Sequence, residues 1–397
     1  MAELEFALIV IGIFLALAFN FANGLNDAAN SVAAVVATRA LSPIKAILLA
    51  SCFNFIGPFL FSTAIAKTIG AGILEPNTLS VAVLCMALIG SVLFVFIASH
   101  LGIPVSSSHA LIGGLIGAGI AASGISGVLW PDISAVETAV SYALLGGVIV
   151  SLLYAGVGFY MRESAKRLLI PGFLTGFACT VPLLILTGTV QISGIFAIII
   201  FIVVSPMLGF LSAYLLGLIL MRVFRKTKGS KISKGFNYAQ IAAACGQAVG
   251  HGANDAQSAM GMITALLLAA GTLSSFEVPL WVILASCAAI SSGTLLGGWR
   301  VIKKMAYGIT KIRPYQGVAA SCGGAGVLAL MTAFGVSVST THAMAGAIMG
   351  AGTTRGHMAV KWSAVREIVA TWFLTIPSAA FVSYICYEAF LFLSGLL

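Results

Sequence analysis

The chain is 397 residues long, 60% hydrophobic and only 8% charged, with a net charge of +9. A soluble domain is roughly a quarter charged, whereas here apolar runs of about 20 residues, the length that crosses a bilayer core as helix, recur from end to end. This composition excludes a soluble protein and predicts an all-α polytopic membrane protein. The positive charge does not mark a nucleic-acid binder, because the basic residues lie in short loops between apolar runs, where orientation accounts for them.

In chain order, the opening "MAELEF" lacks the basic stretch of a cleavable signal, so the first span is expected to remain. About twelve crossings are predicted, at 5–38, 43–66, 79–99, 104–130, 136–160, 169–190, 194–222, 237–270, 278–299, 316–335, 336–354 and 364–396. The first and eighth contain polar interruptions and are predicted to be broken helices. The fourth and eleventh are irregular and read as re-entrant-like hairpins rich in Ser and Thr. With the N-terminus outside, nineteen of the twenty Lys/Arg fall inside, including Arg39, Lys45, Arg162, Lys166, Arg167 and the six basic residues of "RVFRKTKGSKISK"; only Lys67 falls outside. Both termini are then outside and the basic loops cytoplasmic. The seven cysteines have no CxxC or CxxH spacing and read as small buried hydrophobes.

The chain repeats itself. "GLNDAANS" at 24–31 matches "GANDAQSA" at 252–259, "LASC" at 49–52 matches 284–287, and "VSSSHALIGGLIGAG" at 105–119 matches "VSTTHAMAGAIMGAG" at 338–352. These matches divide the chain into a first repeat (1–135), intervening membrane helices (136–224), a short basic loop (225–235), a second repeat (236–356) and a C-terminal span (357–397). Seven crossings precede the second copy. The copies therefore enter the membrane from opposite sides, giving the inverted-topology repeat of many secondary transporters.

Each copy carries two polar motifs. The first is Gly24, Asn26, Asp27 and its counterpart Gly252, Asn254, Asp255. An ionised carboxylate at mid-membrane costs at least ~2.5–3.5 kcal/mol, so two in symmetric positions demand a compensating charge. The glycine is expected to let the helix unwind and free carbonyl oxygens. Asn26 and Asn254 add neutral oxygens, as do Asn23, Asn30 and Gln257 nearby, and hard cations such as Na⁺ take oxygen ligands of this kind. The second motif is Ser106, Ser107, Ser108 and its counterpart Ser339, Thr340, Thr341, each just before a glycine-rich apolar run. A helix N-terminus with free N–H groups binds an anion, and hydroxyls donate to it without fixed charge; Ser and Thr are also ordinary N-caps. His109 and His342 read either as proton carriers or as polar packing groups. An anion beside carboxylates would be repelled, and cations between them resolve the conflict, which is a physical reason for co-transport.

In these motifs the sequence resembles the PiT family of inorganic phosphate transporters, whose signature is GANDVANS in one half and a second GAND in the other. The resemblance spans nearly the whole chain. It implies inorganic phosphate as substrate, held by the six hydroxyl residues with Asn26 and Asn254. It also implies symport with Na⁺ or H⁺, no organic cofactor, a homodimer in a cell (plasma or inner) membrane, and no enzymatic activity. Leu25 stands for the usual Ala, and Gln257 with Ala259 for the usual Asn-Ala; these departures bear on the coupling ion. Some relatives carry sulfate, or phosphate with protons, and a proton-coupled carrier is the alternative. A channel would need a continuous polar pore, whereas the polar residues concentrate near two midplane sites. An intramembrane enzyme would need an HExxH, a GxSxG or a clustered carboxylate pair, and none is read in the sequence.

Overall fold

The computed structural model describes residues 2–160, 165–190, 194–227 and 229–395. Arg162 and Lys228, and the side chains of Lys166, Arg167 and Lys231, which carry part of the orientation reading, lie outside the described residues. The chain folds as α1 (Ala2–Ala37), α2 (Pro43–Ile56), α3 (Ala64–Ala71), α4 (Val81–Leu101), α5 (Ser107–Ser123), α6 (Ile133–Tyr160), α7 (Ala165–Leu186) and α8 (Gly194–Val223). The second half continues with α9 (Gly229–Ala269), α10 (Leu280–Leu296), α11 (Trp299–Lys303), α12 (Pro314–Ala333), α13 (Thr340–Thr353) and α14 (Trp362–Ser394). Among the described residues, β structure is limited to two isolated bridges, Leu74–Val128 and Thr310–Val360. A helix satisfies its backbone internally, which lipid demands, and large apolar side chains such as Leu152, Leu153, Leu374 and Phe381 face outward. The cysteines divide between the two environments: Cys85 and Cys287 are buried as expected, whereas Cys52 and Cys179 face outward on apolar helices.

Every predicted crossing corresponds to a helix, but the count of twelve is not recovered. Among the described residues, eight helices are long and apolar enough to span, or nine if α10 and the helical segment Trp299–Gly308 are one span bent by 62°. Three predicted crossings account for the difference. α5 and α13 have only 17 and 14 residues. α9 is long but carries Gln240, Gln247, His251, Asn254, Asp255 and Gln257.

The breaks also lie elsewhere than predicted. α1 and α9 run as continuous helices through Gly24 and Gly252, so these glycines do not unwind the chain. They admit another backbone instead: a Cβ on Gly24 would fall 2.0 Å from the Ile290 carbonyl oxygen, and one on Gly252 would fall 2.1 Å from that of Asn54. Gly293 and Gly57 return the contact, against Phe21 and Val249. α10 thus packs on α1 as α2 packs on α9. The observed break is at Gly297–Gly298, between α10 and α11.

The short helices are backed in the same matched way. Gly113 and Gly117 of α5 meet the carbonyls of Ile376 and Ala380 on α14, while Gly346 and Gly350 of α13 meet those of Pro206 and Phe210 on α8. α8 and α14, which lie outside both copies in the sequence, therefore play corresponding parts in the fold.

Candidate functional site

α1 and α9 lie side by side and antiparallel. Gly12 rests against Leu266, Asp27 lies in one cluster with His251, and Thr38 Oγ1 donates to Gln240 Oε1 at 2.8 Å. Each step along α1, from Gly12 to Asp27 to Thr38, is matched by an equal step backwards along α9, from Leu266 to His251 to Gln240. Asp27 and Asp255 thereby meet mid-way along the pair, and the two predicted midplane sites become one. A carboxylate oxygen from each and a ring nitrogen of His251 all lie within 4.8 Å of one another, and all three residues are buried.

The two copies hold their carboxylates alike. Asn26 Nδ2 donates to Asp27 Oδ1 (2.8 Å) and to the Val105 carbonyl (2.9 Å). Asn254 Nδ2 donates to Asp255 Oδ1 (2.6 Å) and to the Val338 carbonyl (2.8 Å). Each Asn–Asp pair therefore anchors the strand-like entry to its own hairpin helix, Val105 just before α5 and Val338 just before α13. With the amide nitrogens so used, the Oδ1 atoms of Asn26 and Asn254 remain buried without a donor among the described residues, as does Oδ1 of Asn23, whose Nδ2 likewise lacks an acceptor. These three oxygens are of the kind that coordinates a cation.

The hairpin hydroxyls divide by position. Ser106 and Ser339 cap α5 and α13, accepting from the His109 and His342 backbone N–H groups at 3.3 and 3.2 Å. Their hydroxyl hydrogens are still free to donate. Beyond the caps, Ser107 Oγ donates to Asp27 Oδ2 (3.4 Å), Thr340 Oγ1 to Asp255 Oδ2 (3.1 Å) and Thr341 Oγ1 to Asp27 Oδ1 (2.9 Å). Asn30 Nδ2 donates to the hydroxyls of Thr340 and Thr341 (3.2 and 3.0 Å), tying α1 to the other copy's hairpin. Ser108 is buried in the same first turn.

Two residues depart from the sequence reading. Gln257 is occupied elsewhere: its Oε1 accepts from the Ala66 N–H at 3.0 Å, and its Nε2 donates to the Ser62 and Ala253 carbonyls. It fastens the α3 region to α9. His251 belongs to neither motif, yet its Nε2 lies 3.1 Å from Asp255 Oδ2 and its Nδ1 lies 3.1 Å from Asn54 Oδ1. The signal for it is in the repeat, where His251 aligns with Asn23. Asn54 Nδ2 donates in turn to Thr294 (2.8 Å), which reaches the Gly24 carbonyl (3.3 Å). His109 and His342 lie apart from the carboxylates, their rings edge to face at 4.8 Å with Trp372 against His342 at 4.5 Å.

Two carboxylates and several unpartnered amide oxygens are the kind of atoms a cation coordinates, and helix N-termini lined with hydroxyls are the kind of donors an anion accepts from. Residues 23–383 match the pattern of the phosphate transporter family. The chain belongs to that family. It is 38% identical over 389 residues to the "Probable low-affinity inorganic phosphate transporter" of Rhizobium meliloti (strain 1021), covering 98% of each chain. It is 33% identical to the protein of the same description from Bacillus subtilis (strain 168), covering 96% of each. Among solved structures it is similar to one described as the sodium-dependent phosphate transporter, with a TM-score of 0.69 and 26% identity over 97% of this chain and 99% of that one. The protein is thus an integral membrane member of a family of phosphate transporters, with the fold of a sodium-dependent one.

Proposed function

We propose that the protein is a secondary active symporter that imports inorganic phosphate with Na⁺ by alternating access, as a homodimer in the plasma or inner membrane with its basic loops cytoplasmic. One observation supports this above the others. Ser107, Thr340 and Thr341, three of the hydroxyls placed to donate to an anion, donate instead to Asp27 and Asp255. A cation on the carboxylates would supply the positive charge those hydrogen bonds now partly replace. It would release the hydroxyls to turn toward phosphate and remove the repulsion that keeps an anion away. Cation binding and phosphate binding then favour one another, as symport requires.

At least two Na⁺ should accompany each phosphate. Near neutral pH phosphate carries between one and two negative charges, much as a phosphate monoester does. Importing an anion against an inside-negative potential costs ~2.3 kcal/mol per charge per 100 mV. Two cations neutralise the dianion and let the potential assist the monoanion. Two carboxylates anchor them, and neither hairpin motif carries a Lys or Arg that could take their place. Proteoliposomes loaded with the purified protein test the coupling: phosphate uptake should follow an imposed Na⁺ gradient. Calorimetric phosphate binding at fixed ionic strength should rise with Na⁺ with a slope near two.

A specific contact favours a second reading, a proton-coupled phosphate or sulfate carrier. Asn54 donates through its nitrogen to Thr294, so its oxygen accepts from His251 Nδ1. In a neutral imidazole the other nitrogen then has no hydrogen, and it faces Asp255 Oδ2 at 3.1 Å. A proton or a cation between the two resolves the clash of acceptors. Uptake driven by a proton gradient and indifferent to Na⁺ decides for this reading.

A further inference from the structure

The seam between α1 and α9 runs past the carboxylates in both directions, and its halves differ. Along these helices the copies are offset by 228, so Gly12 corresponds to Gln240, Phe19 to Gln247, Ser31 to Ala259 and Thr38 to Leu266. The antiparallel register fixed by Gly12–Leu266, Asp27–His251 and Thr38–Gln240 places Ser31 opposite Gln247 on one side of the site. It places Phe19 opposite Ala259 on the other. Toward the N-terminal end of α1 the seam is filled mainly by Phe19, Leu84, Met260, Met262 and Ile263 of one apolar core. Its polar pair, Asn20 opposite Ser258, is anchored by Asn20 Nδ2 donating to the Ser286 carbonyl at 2.9 Å, while Asn20 Oδ1, Ser258 Oγ and Ser286 Oγ have no partner among the described residues. The seam is closed at Gly12, against which the Leu266 and Cys85 side chains both pack.

Toward the basic end the same positions are polar. Ser31 Oγ and both amide atoms of Gln247 are buried without a partner among the described residues, in side chains 1% and 0% exposed. Ser321 Oγ on α12 is buried and unpartnered as well. One turn on from it, Gly324 lies against Gln247, whose Oε1 would be 3.2 Å from a Cβ there. The fold does not require polarity at these places, since the matched positions hold Phe19 and Ala259. Beyond them, the hydrogen bond from Thr38 to Gln240 closes the lane.

We propose that Ser31, Gln247 and Ser321 form a transit site for the phosphate oxyanion on the cytoplasmic side of the carboxylates, with the Thr38–Gln240 hydrogen bond as its closing contact. This rests on the symport reading. Ser31 lies one helical turn beyond Asp27, so an anion released by the hairpin hydroxyls meets two further hydroxyls and an amide NH₂. All are neutral donors. They replace part of the ion's hydration without the fixed charge that would trap it, and a closing contact between Thr and Gln opens without exposing apolar surface.

The test compares phosphate uptake by inside-out and right-side-out membrane vesicles. In Gln247→Leu the half-saturation for phosphate offered at the cytoplasmic face should rise on the order of tenfold, the loss of one hydrogen bond to a charged group. The value at the external face should be unchanged. Ser31→Ala copies the residue already present at the matched position, so it should fold and show the same one-sided change. An equal change at both faces, or none at either in both variants, overturns the transit site while leaving the symport reading intact. Failure of the unaltered protein to take up phosphate overturns both.

Discussion

Asp27 and Asp255 occupy equivalent places in the two copies and have unlike neighbours. They share a role toward the backbone, since each Asn–Asp pair clamps the carbonyl before its hairpin helix. What they do not share is their nearest partners. Asp255 has an imidazole nitrogen at 3.1 Å, from His251 at the position where the first copy carries Asn23. Thr341 of the second hairpin crosses to Asp27, whereas its counterpart Ser108 makes no hydrogen bond to Asp255 among the described residues. The symmetric features set the shared geometry, and the asymmetric ones give the two carboxylates different surroundings.

The largest effect should come from the carboxylates themselves. Asp27→Asn and Asp255→Asn should each abolish coupled phosphate uptake while the protein still inserts, as read by uptake and by yield in the membrane. Near-normal uptake in one of the two would show that the copies differ in necessity as well as in surroundings. Next come the glycines that bring α10 onto α1 and α2 onto α9. Gly24→Ala or Gly252→Ala puts a Cβ 2.0 or 2.1 Å from a carbonyl oxygen, and overpacking of this kind costs about 1–3 kcal/mol or more. Both should lower the melting temperature of the detergent-solubilised protein. Gly246→Ala on α9, where a Cβ meets nothing within 4 Å, should be neutral or stabilising.

Those glycines also mark where sequence reading ends. The repeat, the membrane class and the carboxylate and hydroxyl motifs are legible because each depends on residue type recurring at a fixed offset. That Gly24 serves helix contact rather than unwinding is not legible, because a glycine's lack of a side chain serves both purposes and only the neighbour decides. The span count departs for a related reason. α5 is apolar but too short to cross, α13 is shorter and less apolar, and each begins only after an extended entry held by Asn26 or Asn254. His251 is hidden because the repeat shows itself through identical residues, and it stands where the first copy has Asn23.

Three substitutions probe the differences between the copies. Thr341→Ala removes the cross-contact to Asp27 and should raise the half-saturation for phosphate about tenfold, the scale of one hydrogen bond to a charged group. Ser108→Ala should do less. His251→Asn gives the second copy the residue of the first. The expected outcome is uptake that loses its dependence on pH and keeps or steepens its dependence on Na⁺. An unchanged pH profile would make the imidazole a packing group.

The smallest expected effect separates two roles of one hydroxyl. Ser106 and Ser339 cap their helices by accepting a backbone N–H, and each hydroxyl can also donate to a bound anion. An alanine at an N-cap costs about 0.5–2 kcal/mol, whereas glycine in the same place costs only a few tenths. Ser339→Ala should therefore lower the melting temperature more than Ser339→Gly, and Ser106 should behave the same way. Phosphate binding responds to a different property, since alanine and glycine both lack the donor. If these serines hold phosphate, the two substitutions should weaken binding by a similar few-fold factor, despite their different stabilities. If binding instead follows stability, weak in alanine and nearly normal in glycine, the serines only start the helices. The anion is then held by Ser107, Ser108, Thr340 and Thr341 and by the backbone N–H groups the caps leave free.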